Sequence, residues 1–223
     1  MHSVSRALLA TATLLVSVTG LAAAQTTAMG RQIARMDFGV SGAGQFNQTV
    51  SGPIVPPGAP NYNVVTTQYG SNTFGALASV RYIAKPYIGV EFNYGWARYT
   101  ENYSPGPNGE SLFQVQTTAN EYSFGWVITP PHLIFGMQPF VSAGAGATEF
   151  KPTGGGGLGV PKQARATYYY NVGVQREFAD SHFGLRASFR QNFFLAPDFG
   201  QNYLTILQHT STIQPTAGFF LRF

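Results

Sequence analysis

Apolar and polar residues alternate along most of this chain. In the stretch 87–100, Ile88, Val90, Phe92, Tyr94 and Trp96 share one parity, while Gly89, Glu91, Asn93 and Gly95 take the other. The same rhythm sets Tyr122, Phe124, Trp126 and Ile128 against Glu121, Ser123 and Gly125, and Phe183, Leu185, Ala187 and Phe189 against Gly184, Arg186, Ser188 and Arg190. At the end of the chain Ile213, Ala217, Phe219, Leu221 and Phe223 oppose Gln214, Thr216, Gly218 and Arg222, with Phe220 an exception. Successive strand residues point to opposite faces, so each such stretch is a strand with one apolar and one polar side. Eight strands are predicted, over 36–47, 69–84, 87–100, 113–129, 138–150, 164–178, 182–195 and 208–223. Most run 12 to 17 residues, well beyond the roughly 5 or 6 usual in soluble sheets and long enough to cross a bilayer at a tilt.

Periodicity alone does not say which side faces out, because a soluble sandwich also alternates, with its apolar side inward. Two features favour an apolar exterior. The polar parity is rich in glycine and small residues, which suits a narrow, crowded interior. The apolar parity carries aromatic residues near strand ends, such as Tyr82, Trp96, Trp126 and Tyr168, with Tyr87 in the opposite register, as in the girdles of membrane barrels. The predicted connections alternate in length, holding 21, 2, 12, 8, 13, 3 and 12 residues. Short turns on one side and long loops on the other are the rule for outer-membrane barrels, and with eight strands both termini then fall on the periplasmic side. The expected architecture is all-β, an eight-stranded antiparallel up-and-down transmembrane β-barrel.

Composition narrows this further. Charged residues make up 10% and aromatics 14% of the 223 residues, and mean hydropathy is −0.03. That balance fits a protein apolar only on alternate residues and speaks against a bundle of membrane helices. Arg6, the apolar run 7–18 and Ala22-Ala23-Ala24 before Gln25 have the form of a secretory signal peptide. The expected division is a signal peptide over 1–24, an N-terminal segment over 25–35 and a barrel domain over 36–223. No cysteine is present, so thiol chemistry, disulfides and a cysteine-borne lipid anchor are excluded. The net charge of +4 is spread along the chain and no nucleic-acid motif appears.

The ending Gly218-Phe219-Phe220-Leu221-Arg222-Phe223 resembles the last strand of outer-membrane barrels, and with the leader and the strand count the chain resembles the outer-membrane β-barrel superfamily, which holds the OmpA membrane domain, OmpX and OmpW. The resemblance covers architecture over 36–223. It implies an outer-membrane location, contact with outer-membrane lipid and lipopolysaccharide, and an assembly signal at Phe219, Leu221 and Phe223 read by the barrel-assembly machinery.

With the apolar side outward, parity puts Asp37, Arg81, Glu91, Glu121, Glu177, Arg186, Arg190 and Arg222 in the lumen, four acids and four bases. An eight-stranded interior is just wide enough for side chains to fill, so these ions are expected to form a network. It would either plug the cylinder or form a gated ion path in which Arg186 and Arg190 exchange carboxylates. Three functions follow. The first is a non-catalytic barrel serving membrane integrity, or adhesion to an extracellular ligand through the loops 48–68 and 151–163. The second is a narrow channel of the OmpW kind, with Phe140, Tyr169 and Leu77 lining an apolar path. The third is a lipid A hydrolase, since His209-Thr210-Ser211 is similar to the His-x-Ser pair of the deacylase PagL, although Thr212 and Ile213 depart from that motif. No histidine pair has metal-ligand spacing, the glycine runs open no phosphate-binding helix, and no metal or cofactor is expected.

Overall fold

The computed structural model describes residues 28–54, 64–105, 113–178, 182–201 and 204–223. The leader expected over 1–24 lies outside the described residues. A short helix α1 (Ala28–Ile33) precedes ten strands: β1 (Met36–Asn47), β2 (Val50–Ile54), β3 (Val64–Gly70), β4 (Thr73–Lys85), β5 (Ile88–Pro105), β6 (Phe113–Ile128), β7 (Gln138–Pro152), β8 (Gln163–Glu177), β9 (Phe183–Leu195) and β10 (His209–Arg222). Eight of them, β1 and β4 to β10, pair antiparallel with their neighbours, and β1 closes on β10. The chain is a closed eight-stranded up-and-down barrel with two additional strands.

Those two strands revise the sequence reading. The stretch 48–68, expected as an open loop, contains the hairpin β2–β3, and β3 pairs with the far end of β5 through Thr66↔Pro105 to Gly70↔Glu101. The strand expected over 69–84 is therefore broken, with Tyr69 in β3 and the wall strand starting at Thr73. Side chains capture the backbone at the break. Asn47 Nδ2 donates to Ser71 O at 3.1 Å, and Ser71 Oγ accepts from Thr100 N at 3.0 Å. A Cβ on Gly70 would lie 2.8 Å from Asn47 Nδ2 and displace the amide that holds Ser71 O.

The parity faces out as the pattern predicts. Phe92 is 46%, Trp126 63% and Phe219 56% exposed, whereas Glu91 is 1% and Arg186 6% exposed. Exposed Phe, Tyr, Trp, Val, Leu and Ile recur along the outer wall, far more contiguous apolar surface than a water-soluble monomer carries. Such a wall is stable against acyl chains, and the closed ladder leaves no strand edge unpaired in lipid.

Inside, large rings fit because glycines face them. A Cβ on Gly173 would lie 2.6 Å from Phe140 Cζ, and one on Gly184 or Gly125 would collide with the Phe220 ring or the Tyr169 hydroxyl. The glycines on the polar parity are thus the sockets of the inward aromatic residues.

Candidate functional site: the filled lumen

Strand register brings some of the lumen charges together at once. Arg81 on β4 sits directly opposite Glu91 on β5, and Asp37 on β1 lies between Arg81 and Arg222 of its two neighbours. Arg81 Nε lies 2.8 Å from Glu91 Oε2. Other pairs are chords that skip strands. Arg186 of β9 reaches past β10 to Asp37 of β1 at 2.9 Å, and Arg190 of β9 reaches past β8 and β7 to Glu121 of β6.

From the short-turn end inward, cations and rings alternate. Arg222 lies 5.6 Å from the Phe220 ring centre, which is 4.6 Å from Arg186; Phe140 then lies 5.7 Å from Arg186 and 4.2 Å from Arg81. Farther in, Arg190 stands 3.9 Å over the Tyr169 ring. Desolvated cations over aromatic faces gain about 2 kcal/mol each.

Most buried ions have neutral hydrogen-bond partners as well; Asp37 relies on its arginines, with Arg222 Nη2 3.6 Å from Oδ2. Glu91 accepts from Tyr169 OH at 2.9 Å and Asn93 Nδ2 at 3.1 Å. Arg186 donates to Gln175 Oε1 from Nε and Nη2, at 3.1 and 3.0 Å. Arg190 donates to Ser123 Oγ at 2.9 Å and Asn192 Oδ1 at 3.0 Å. Six of the eight parity-assigned charges are buried. The other two, Glu177 and Arg222, have side chains 41% and 28% exposed and pair with each other at the short-turn mouth. The structure places these two at the mouth rather than in the interior.

The long-loop end is closed by apolar groups. Tyr99, Tyr103, Val115, Phe150 and Phe194 point inward from strands that continue past the outer apolar band, and Phe199 and Leu204 of the last connection pack onto them. That connection is fastened by Asp198, which pairs with Arg165 at 3.0 Å and accepts from Gly200 N and Thr205 Oγ1, each at 3.0 Å. The Pro197 carbonyl accepts from Tyr103 OH at 2.6 Å and Gln68 Nε2 at 3.0 Å. Beneath this cap, beyond the outer apolar band of β5, burial pushes the Glu101 carboxyl up to about 7, against hydrogen bonds from Gln68 and Tyr99. The sequence reading missed Glu101, Arg165 and Asp198. Its one available signal was the run of apolar residues Phe199, Leu204 and Ile206 inside a connection, where solvent-facing residues are usual.

Among the described residues, the space left inside the wall is small. A cavity of about 30 Å³ lies between Gln45, Glu121, Asn192 and Gln214, and another of about 10 Å³ beside Gln68 and Glu101. One water needs about 10–15 Å³ on this measure. Phe140, Tyr169 and Leu77 are buried in the lumen, but the first two are packed against the arginines and do not border an open path. Ser211 Oγ accepts from Gln191 Nε2 at 3.0 Å and bonds Gln48 Oε1 at 2.8 Å, and no described hydrogen bond joins it to His209. Among the described residues, no three His, Asp or Glu side chains form a metal-binding group.

No protein-family model and no curated protein matches the sequence. Solved structures match its shape. The outer membrane protein OprG from Pseudomonas aeruginosa aligns with 84% of this chain and 95% of its own, at 10% identity and a TM-score of 0.53. Neisserial surface protein A aligns with 83% of this chain and 97% of its own, at 12% identity and a TM-score of 0.48. The outer membrane protein AlkL, solved in lipid bilayers, covers 83% of this chain and 90% of its own, at 14% identity and a TM-score of 0.45. At these identities the likeness concerns the fold.

Proposed function

Starting from a chain with the fold of the small outer-membrane β-barrels, we propose that it is a sealed, non-catalytic barrel of the outer membrane, holding a rigid platform for surface contacts. In this reading the short turns and both termini face the periplasm, and the long connections, the β2–β3 hairpin and the cap stand outside. The observation that carries it is the filled interior: ion pairs tie non-adjacent strands together, and among the described residues the cavities inside the wall hold about 30 and 10 Å³, while two hollows of about 360 Å³ lie at the short-turn mouth around Gln138 and Arg222. Buried charges cost several kcal/mol each unless paired. Here Asp37, Glu91 and Glu121 each face a guanidinium, so the network stabilises one register, and sliding one of these strands by one residue would send its charges into lipid.

The same reading assigns the last strand to assembly. Phe219 and Leu221 face outward, and Phe223 packs edge-on against Phe38 with ring centres 5.8 Å apart. These residues are exposed to the assembly machinery before β10 closes on β1. Lipopolysaccharide and phospholipid are the partners of the outer wall, and an extracellular ligand would meet the hairpin and cap. Planar-bilayer recording tests the sealed lumen. Purified protein is expected to give no steady single-channel current, whereas reproducible discrete openings of one size would overturn the proposal.

A further inference from the structure

The outer wall is not uniform. On β7 the outward residues Ala143, Ala145 and Ala147 are small, while their cross-strand partners are large: Trp126 and Tyr170 beside Ala143, Phe124 and Tyr168 beside Ala145, and Tyr122 beside Ala147. The flanking rings are exposed, Trp126 by 63% and Tyr168 by 62%. The result is a groove with an alanine floor and aromatic walls. Its ridges stand two strand spacings apart, about 10 Å.

The groove runs toward cations at its long-loop end. Arg98 on β5, Thr118 on β6 and Lys151 on β7 form one cross-strand row on the outer face. Arg98 Nη2 donates to Gln116 Oε1 at 2.7 Å, and its other N–H groups have no partner among the described residues. Lys151 is exposed and has no partner among the described residues. Glu149, the acid between groove and row, is neutralised by Lys162 at 2.9 Å. From Ala143 to Lys151 is eight residues, about 26 Å along the strand and about 20 Å along the membrane normal at a typical tilt. Half a bilayer including headgroups measures about 20–22 Å. Alanine floor and cation row are therefore spaced like the acyl chains and the phosphate of one leaflet.

We infer that this groove and the Arg98–Lys151 row form a binding site for one phosphorylated lipid of the outer leaflet, the lipid A portion of lipopolysaccharide, with an acyl chain on the alanine floor and a phosphate on the cations. The inference rests on the membrane reading above and adds a defined ligand site to it. Charge complementarity selects the occupant, because a neutral lipid or a second copy of this wall gives the cations nothing to pair with.

The test is titration of bis-phosphorylated lipid A into the folded full chain in uncharged micelles. The readout is the fluorescence of Trp96 and Trp126, the only two tryptophans, one in the strand of Arg98 and one on the groove wall. A cation near a membrane surface contributes about five-fold to anionic lipid binding. Arg98→Gln with Lys151→Gln should therefore weaken Kd by about 25-fold, and removing one phosphate from the lipid should weaken it several-fold. Ala145→Phe, which fills the floor and keeps both cations, should also weaken binding, while Lys85→Gln at the opposite mouth should leave it unchanged. Retained heat-shifted mobility on gels certifies that each variant is folded. Equal affinity across wild type, the double Gln variant and Ala145→Phe would overturn the inference. So would a dimer that Ala145→Phe dissolves without changing lipid A affinity, which would make the groove a self-contact. A non-conducting barrel that fails to bind lipid A refutes only this site, while a conducting one refutes the sealed lumen instead.

Discussion

Glu91 is the carboxylate whose removal tests the lumen most sharply. It is 1% exposed and holds three donors, Arg81 Nε at 2.8 Å, Tyr169 OH at 2.9 Å and Asn93 Nδ2 at 3.1 Å. Glu91→Ala leaves the Arg81 guanidinium buried without its own carboxylate, facing Gln175 Oε1 at 3.4 Å and the Phe140 ring, while Asp37 on the neighbouring strand is already held by Arg186. Removing one partner of a buried ion pair costs about 3–5 kcal/mol, and Arg81→Met should cost a similar amount by stranding Glu91. Replacing both, as Arg81→Met with Glu91→Ala, removes the charge problem altogether. What remains is the lost acceptor of Tyr169 and Asn93, about 1–3 kcal/mol. The double variant should thus be more stable than either single, with a coupling of at least about 2 kcal/mol. Equilibrium unfolding in lipid vesicles, followed by tryptophan fluorescence, measures all four proteins. A Glu91→Ala loss below about 1 kcal/mol, or a double variant as costly as the two singles added, would refute the claim that paired burial holds these charges.

Three further outcomes follow from the same geometry. Gly173→Val places a side chain against Phe140 Cζ, Ser188 Cβ and Ala187 O and should cost about 1–3 kcal/mol, partly recovered by Phe140→Leu in the same unfolding assay. Glu101 has a folded value of about 7 against an ordinary 4.5, so its burial costs nothing below pH 4.5 and destabilises the cap progressively as pH rises, by about 3 kcal/mol above pH 7. Hydrogen exchange over 196–201 and 204–208, corrected for intrinsic rates, should show protection falling from pH 5 to pH 8 in wild type and not in Glu101→Gln; identical profiles would remove Glu101 from the account. Deleting Phe223 should slow assembly in cells, seen as unfolded precursor on gels without heating, while the purified variant still folds in detergent.

How much of this was legible in the sequence depends on which physical constraint wrote each feature. A wall between lipid and a narrow interior imposes a period of two, so the alternation of Phe92, Tyr94 and Trp96 against Glu91, Asn93 and Gly95 reported both strand and facing. Parity says nothing of depth, which is why Glu177 and Arg222 were grouped with the interior although they sit at its mouth. Pairing was readable only where residues face each other across neighbouring strands. Arg190 and Glu121, 69 residues apart, meet because of how the barrel closes, and that closure leaves no local mark. The β2–β3 hairpin was hidden by Gly52-Pro53 and the surrounding turn formers, and by Tyr69, which alternates in phase with the strand after it. The cap was hidden because Phe199, Leu204 and Ile206 are buried by the ends of other strands, in no period of their own.

The direction of the apolar face is the premise on which lumen, cap and lipid groove all stand, and the two tryptophans report it. Trp96 is 43% and Trp126 63% exposed on the outer wall. With the protein folded into vesicles, lipids brominated on their acyl chains should quench most of the emission, and aqueous iodide should quench little. Strong iodide quenching with little effect of the brominated chains would mean that these rings do not face hydrocarbon, and the account would fail.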